Sequence, residues 1–423
     1  MRRALLLLPP LLVLAGLGAA RADEAFDRCA AAAASQYEPG YETIGLDRWQ
    51  VDGPGAVSAC QAALDAQPDS AQIKAWLGRA MVLSGDEAGA VPLLEAAANA
   101  GNALAATLYG DILIVGDVVS QDMERGAQYL QAAADLGFAP AQNSLALSYD
   151  YGEGVVQDSR TASQWYRAAA LQGNARAAAN LGRLYAMGAG VDRDMVAAAA
   201  WYRIGADRGD TGAQYNLGRL IELGEIAPPD PAAAAPYYQL AADAGDALAA
   251  NALGVLLRDG VGVPADPAAA ALRFETAAGQ GLAAAQHNLG QLYETGTGVT
   301  ADPARARMLY RQAADNGDGD ALSRLALMQL DGRGGSADIA KALATAQRAS
   351  EIGGPLALFT LGQFYEEGHG VDRNLDQARQ LYWQAADLGL EAATERLAAL
   401  DSAAAATVPD RPVRRYTPGK LDN

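Results

Sequence analysis

Apolar residues recur at every fourth position through most of this chain, a spacing typical of helices rather than strands. In one such stretch Ala177, Leu181 and Tyr185 are four residues apart, so on a helix they lie on one face. A glycine, Gly188, follows this stripe, at the place where helices commonly end in a left-handed residue. The pattern therefore predicts an all-α fold of short helices joined by tight turns.

The same pattern returns every 36 residues, which gives eight gapless repeats over residues 102–389. Each repeat has a helix A, usually with a Leu-Gly pair in its apolar stripe, and a helix B, which usually ends in paired alanines and a glycine. The glycines that bound the repeats are Gly101, Gly137, Gly173, Gly209, Gly245, Gly281, Gly317, Gly353 and Gly389. A single helix pair cannot bury its own apolar face, so we expect the repeats to stack into a solenoid.

The turn from helix A to helix B contains two glycines and an acidic residue, as in YGEGVVQD from Tyr151 to Asp158. Such a loop is compatible with a phosphate or metal ligand. Eight copies of one loop are more simply explained by architecture: the first glycine ends helix A and the aspartate caps helix B. Asn374 replaces the aspartate in the eighth copy, and a cap requires only an oxygen acceptor. No cofactor or metal is therefore expected.

These residues resemble the Sel-one-like repeats, a 36-residue relative of the tetratricopeptide repeat. The matched pattern is alanine, Leu-Gly, tyrosine, Gly-x-Gly-Val, aspartate, aromatic-Tyr, Ala-Ala and glycine, over residues 102–389. Residues 54–101 resemble less regular tetratricopeptide-like helices. The resemblance implies a right-handed α-solenoid of antiparallel helix pairs, with a concave face that holds proteins or peptides and carries out no catalysis.

Residues 1–22 have the composition of a secretory signal peptide. Two arginines precede an apolar run from Leu5 to Leu17, and the small-residue pattern Ala20-Arg21-Ala22 follows it. The run is short for a bilayer span and contains two prolines. We therefore expect cleavage near Ala22, export to the periplasm or the medium, and no membrane span in the mature chain.

Charge and cysteine content narrow the possible partners and the compartment. The formal net charge is -18, which disfavours nucleic acid as a partner. Cys29 and Cys60 lie near the start of the mature chain and are predicted to pair in an oxidising compartment. That disulfide would fasten an N-terminal cap segment, residues 23–53. Without a histidine this end is not expected to bind metal.

Regular helices are expected to be interrupted at several places. Pro92 and Pro236 fall inside predicted helices B, where proline removes a backbone donor and should kink or end the helix. After the last repeat, a C-terminal capping helix is predicted over residues 390–400. Residues 401–423 are rich in proline and charge and are predicted to form a disordered tail.

Polar positions on helix A form the candidate partner-binding surface, which we call the A-helix strip. In tetratricopeptide-like arrays the helix A residues between the packing positions line the inner face. Those offsets give Arg176, Asn180, Arg183, Tyr215, Asn216, Arg219, Asn251, Arg258, His287, Asn288 and Gln291. Four arginines suit an acidic segment or a C-terminal carboxylate, since guanidinium binds carboxylate through two parallel hydrogen bonds. In the alternative interpretation, the asparagines brace neighbouring repeats and the arginines pair with acidic neighbours.

Three classes of function would require different residues of this chain. A glycan- or peptidoglycan-binding module of the cell envelope would use tyrosines and asparagines of the same strip. A hydrolase would have to rely on Glu366 and Glu367, since nucleophile and zinc motifs are missing; these carboxylates are predicted to form a solvated helix end. His287 and His369 are likewise predicted to be solvated. The favoured interpretation is an exported, non-catalytic scaffold for protein-protein interaction.

Overall fold

The computed structural model describes residues 11–47 and 50–406. All regular secondary structure in those ranges is helical, with 21 helices, which confirms the predicted all-α class. The chain divides into an N-terminal unit that ends at Asp230 and a C-terminal unit that begins at Pro231. Residues 1–10 of the predicted signal peptide and residues 407–423 of the predicted tail lie outside the described residues.

Successive helices of the N-terminal unit pack against each other in pairs. Helices A and B of one repeat form the most extensive contacts, as α5 with α6 and α9 with α10 do, and helices A of neighbouring repeats also touch. The helices are α1 Leu11–Ala33, α2 Gly53–Ala66, α3 Ala71–Leu83, α4 Glu87–Asn99, α5 Ala103–Val115, α6 Met123–Asp135, α7 Ala139–Tyr151, α8 Ser159–Leu171, α9 Ala175–Met187, α10 Met195–Ala206 and α11 Thr211–Glu222. Helix α1 is continuous across the predicted cleavage position after Ala22.

The C-terminal unit continues the alternation of helices B and A. Its helices are α12 Pro231–Asp243, α13 Ala247–Asp259, α14 Pro267–Gly279, α15 Ala283–Thr295, α16 Pro303–Asp315, α17 Gly319–Asp331, α18 Ile339–Ile352, α19 Pro355–Glu367, α20 Leu375–Asp387 and α21 Glu391–Ala406. Helix α21 packs on α20 and ends six residues beyond the predicted capping helix, so residues 401–406 are helical.

The loop between helices A and B has the predicted capping geometry. Gly152 ends α7 in the left-handed conformation, at φ 78° and ψ 33°. Asp158 then caps α8 by accepting hydrogen bonds from the backbone amides of Arg160 and Thr161. Asn374 caps α20 through the amide of Gln377, so an uncharged oxygen serves equally well. These contacts confirm that the loop is architectural.

The mid-helix glycine of helix A allows an aromatic ring of helix B to approach closely. A Cβ atom built on Gly290 would lie 2.8 Å from Cε1 of Tyr310, and one built on Gly362 would lie 2.6 Å from Cε1 of Tyr382. Both rings are fully buried. The Leu-Gly pair therefore records a close helix contact, which offsets the low helix propensity of glycine.

The second glycine of the loop joins neighbouring repeats. Gly298 has φ +72°, and a Cβ atom there would lie 2.3 Å from the carbonyl carbon of Pro267, the first residue of α14. Gly154 and Gly190 approach the first residues of α6 and α8 in the same way. Each of these loops therefore rests on the start of helix B in the preceding repeat.

Pro92 and Pro236 were expected to kink or end their helices, and the structure shows that they do not end them. Helix α4 runs through Pro92 and helix α12 runs through Pro236. Each proline is the sixth residue of its helix, so its missing amide would have bonded a carbonyl in the first turn. Only one hydrogen bond near the helix start is lost, and packing against the neighbouring helix maintains the remainder.

The N-terminal cap segment is fastened by the predicted disulfide and by buried polar contacts. Cys29 of α1 is bonded to Cys60 of α2, and both residues are 0% exposed. The carboxylate of Glu38 accepts a 3.0 Å hydrogen bond from Nε1 of Trp76 on α3. Arg79, also on α3, donates to the carbonyl of Ala33 at 2.9 Å.

Among the described residues, no helix is both long and apolar enough to cross a membrane.

Candidate functional site

The N-terminal part of the A-helix strip lies on α9 and α11. Arg176 and Arg219 are exposed, whereas Asn180, Arg183, Tyr215 and Asn216 are half-buried. The two exposed arginines form no ion pair or hydrogen bond within residues 11–47 and 50–406. They are the groups of this part that are available to a partner.

Two of the remaining polar groups of this part, those of Asn180 and Arg183, connect neighbouring helices. Asn180 donates from Nδ2 to Oδ1 of Asn143 on α7 at 3.4 Å, and Asn216 donates to the Gly212 carbonyl at 2.8 Å. Arg183 forms an ion pair with Asp150 of α7. The bracing interpretation therefore describes Asn180 and Arg183, whereas the hydrogen bond of Asn216 lies within α11.

The C-terminal part of the strip, on α13 and α15, forms a connected polar network. Asn288 donates to Oδ1 of Asn251 at 3.0 Å, and Arg258 donates from Nη1 to Oδ1 of Asn288 at 3.0 Å. Arg258 also binds both carboxylate oxygens of Asp259, at 2.7 Å and 2.8 Å. A shallow cavity of about 250 Å³ lies beside it, lined partly by Arg258 and Gln291.

The prediction that both histidines are solvated is wrong for His287, whereas the His369 side chain is 32% exposed. His287 is half-buried, with Nδ1 3.2 Å from Oδ2 of Asp318 and Nε2 3.0 Å from Nε2 of Gln291. Burial alone would raise the pKa of the Asp318 carboxyl, but the hydrogen bond with His287 lowers it below the ordinary value. His369 contacts Glu367 at 2.7 Å.

A second set of polar groups, which sequence reasoning missed, lies in the last turn of helix A. Asp150, Glu294 and Glu366 are acidic residues at equivalent positions of three repeats. Each accepts a hydrogen bond from the tyrosine sixteen residues later, on helix B. The donors are Tyr166 at 3.4 Å, Tyr310 at 2.6 Å and Tyr382 at 2.8 Å. The spacing of sixteen residues between acid and tyrosine was the available sequence signal.

An arginine from further along the chain completes each of these acid-tyrosine pairs. Arg183 binds Asp150, Arg333 binds Glu294, and Arg396 binds Glu366 through both oxygens, at 2.6 Å and 2.8 Å. The expectation that Glu366 is solvated is wrong, because it is 7% exposed and its carboxylate is held by Arg396 and the phenol. The geometry gives this carboxylate a structural role.

We expect Glu366→Gln to lower the free energy of unfolding by about 1–3 kcal/mol at pH 7, because Arg396 and the Tyr382 phenol lose a charged acceptor. Burial would raise the pKa of Glu366, but hydrogen bonds from Arg396 and Tyr382 lower it below 4.5. The stabilisation that the Glu366 carboxylate provides is therefore fully present above pH 4.5, and it disappears as the pH falls through the pKa of the folded state. Urea unfolding at pH 7 and pH 3.5 measures both effects. The exposed neighbour offers a control, Glu367→Gln, and an equal loss there would contradict the prediction.

Comparison with known proteins identifies the repeats. The family model described as the Sel1 repeat matches residues 103–138, 139–174, 175–210, 211–246, 247–282, 283–318, 319–353 and 355–390, about two thirds of the chain. The chain belongs to the Sel1 repeat family. The eight matched segments agree in number with the eight Sel1 repeats predicted from the glycine spacing.

Two solved structures extend this comparison of the Sel1 repeats. One is a protective antigen present in uropathogenic Escherichia coli strains and displaying an SLR fold, with 26% identity over 92% of this chain and 81% of that chain, at a TM-score of 0.71. The other is a Sel1 repeat protein from Oxalobacter formigenes, with 30% identity over 73% and 90%, at a TM-score of 0.52. No curated protein matches the sequence. Sel1 repeat proteins generally mediate protein-protein interaction and are generally non-catalytic.

Proposed function

We propose that this protein is an exported scaffold that holds a protein or peptide partner on the A-helix strip. The observation that carries the proposal is the exposure of Arg176 and Arg219, which have no ion pair within the described part of the chain. They are exposed cations in a chain whose net charge is -18. Guanidinium groups of this kind attract acidic partners and fix their orientation.

Export is supported by two observations. The first is the signal-peptide composition of residues 1–22. The second is the buried disulfide between Cys29 and Cys60, because structural disulfides persist mainly in oxidising compartments. Together they favour a periplasmic or secreted partner.

The proposal is tested by crosslinking the tagged protein in its source organism and identifying its partners in the periplasmic fraction by mass spectrometry. We expect the double variant Arg176→Glu/Arg219→Glu to reduce partner recovery at least tenfold, because two attractive contacts become repulsive. Arg183 is left unchanged because it holds Asp150. The recovered wild-type chain is expected to begin at Asp23.

The matched control is Arg160→Glu/Arg203→Glu, which changes the same number of charges at exposed positions of α8 and α10. Equal recovery with both double variants would overturn the role of the strip. Recovery of cell-wall glycan alone, in equal amounts with both variants, would replace the scaffold with the glycan-binding alternative.

A further inference from the structure

The acid and the tyrosine of the acid-tyrosine pairs are retained or lost together in seven of the eight repeats. Both are present at Asp150/Tyr166, Glu222/Tyr238, Glu294/Tyr310 and Glu366/Tyr382, and both are absent at Ile114/Leu130, Arg258/Phe274 and Leu330/Ala346. In these seven repeats, a tyrosine at this position of helix B thus occurs only with an acidic residue sixteen residues earlier on helix A. The third repeat breaks the rule, because it has Tyr202 but Ala186 in place of the acid.

The Tyr202 ring is seated as the paired tyrosines are. A Cβ atom on Gly182 would lie 2.8 Å from Cδ1 and 2.9 Å from Cε1 of Tyr202, close to the 3.0 Å and 2.8 Å that separate Gly290 from the same atoms of Tyr310. The placement against helix A is therefore shared. The position that a carboxylate occupies in the paired repeats is taken here by the methyl side chain of Ala186.

The Tyr202 hydroxyl has no hydrogen-bond partner within the part of the chain that the structure describes. Tyr202 is 4% exposed, whereas Tyr166, Tyr310 and Tyr382 are 0% exposed. Its oxygen is not among the enclosed side-chain atoms that lack a partner, so it is open to solvent. A mostly buried phenol that retains an open edge is ready to donate to an external acceptor.

Positive charge acts at the Tyr202 hydroxyl. Arg219 stands in the fourth repeat where Arg183 stands in the third, and Arg183 binds the carboxylate of Asp150. Burial raises the pKa of Tyr202, and the charges of Arg219 and Arg183 act against that rise, so both guanidinium groups act on the phenol. Arg193 donates from Nε to the Ala186 carbonyl at 3.1 Å, as Arg373 does to the Glu366 carbonyl at 2.9 Å.

We propose that Tyr202 and Arg219, supported by Arg183 and Arg193, form a binding subsite for a carboxylate that a partner supplies. The chain itself defines this ligand chemistry, because the equivalent tyrosines donate to Asp150, Glu294 and Glu366 in other repeats, and Arg183, the equivalent of Arg219, binds Asp150. A carboxylate has two oxygens, so it accepts from the phenol and from a guanidinium at once. This inference rests on the proposed function, since it names the group that the N-terminal part of the strip recognises.

The test measures whether a small carboxylate reaches Tyr202. The full-length mature protein is labelled with ¹³C at the tyrosine Cζ, and the Tyr202 signal is the one missing from the Tyr202→Phe variant. Two peptides serve as probes, an acetyl-Gly-Glu-Gly amide for side-chain carboxylates and an acetyl-Gly-Gly-Gly acid for terminal ones. We expect the Tyr202 signal to shift with at least one of them, which identifies the source of the carboxylate, and not with acetyl-Gly-Gln-Gly amide.

Ala186→Glu supplies the missing acid from within the chain and is the sharpest variant. We expect it to weaken binding of the active peptide at least tenfold and to raise the melting temperature above that of Ala186→Gln, the neutral control of the same size. No shift with either acidic peptide, an equal shift with the glutamine peptide, or unchanged binding by Ala186→Glu would each overturn the subsite. Loss of partner capture by the Arg176/Arg219 variant, with no response at Tyr202, would leave the proposed function standing and reject this subsite alone.

Discussion

Gly298→Ala should lower the free energy of unfolding by about 2–5 kcal/mol. Two costs add at this position: a left-handed backbone conformation costs a non-glycine residue about 1–2 kcal/mol, and overpacking costs about 1–3 kcal/mol. The second cost arises because the new Cβ would lie 2.3 Å from the carbonyl carbon of Pro267, and backbone cannot rotate away as a flexible side chain can. Urea unfolding followed by far-ultraviolet circular dichroism measures the loss.

Gly281→Ala separates the two costs. Gly281 has φ +86° and no atom within 4 Å of the position of a new Cβ, so only the backbone cost of about 1–2 kcal/mol applies. The loop that contains Gly298 follows α15 and packs against the start of α14. Hydrogen exchange should therefore show the additional effect of Gly298→Ala at α14 and α15. Equal losses of unfolding free energy in the two variants would mean that the loop does not pack against the preceding repeat.

Removing the disulfide should weaken the N-terminal end by about 3–4 kcal/mol on a chain-entropy estimate for a loop of this length. The bridge spans a sequence separation of 31 residues. Alanine is the replacement of choice for Cys29 and Cys60, because both sites are 0% exposed and a serine hydroxyl there would lack a partner. The double variant should lower the midpoint of unfolding and lose its sensitivity to dithiothreitol.

The location of the loss is as informative as its size. In an array where each repeat contacts only its neighbours, a weakened end should lose hydrogen-exchange protection locally. We expect faster exchange in α1 and α2 and unchanged exchange in α20 and α21. A uniform increase along the chain would contradict this account, and so would a wild-type protein that unfolds identically with and without reductant.

Features set by short-range chemistry were predictable from the sequence. A glycine with positive φ, an aspartate cap and a 36-residue period each depend on a few neighbouring residues, and Gly152 and Asp158 have the predicted geometry. The disulfide followed from having two cysteines, Cys29 and Cys60. The two prolines misled, because their cost depends on where each falls within its helix.

The partners of polar side chains on the strip were not predictable. Arg183 reaches back 33 residues to Asp150, whereas Arg396 reaches back 30 residues to Glu366. A period of 36 residues does not indicate which long side chain spans the gap between repeats. Arg183 and Arg219 occupy equivalent positions in neighbouring repeats. The repeat pattern alone therefore did not show that Arg183 is bound and Arg219 is exposed.

Acidic residues at the end of helix A recur at Asp150, Glu222, Glu294 and Glu366, which are 72 residues apart. The backbone repeats with one helix pair, but the polar interior repeats with two, so layers with an internal acid alternate with layers that lack one. An array of this kind keeps its alternation only if it is lengthened or shortened in steps of 72 residues. Duplication of a single repeat would place two like layers side by side.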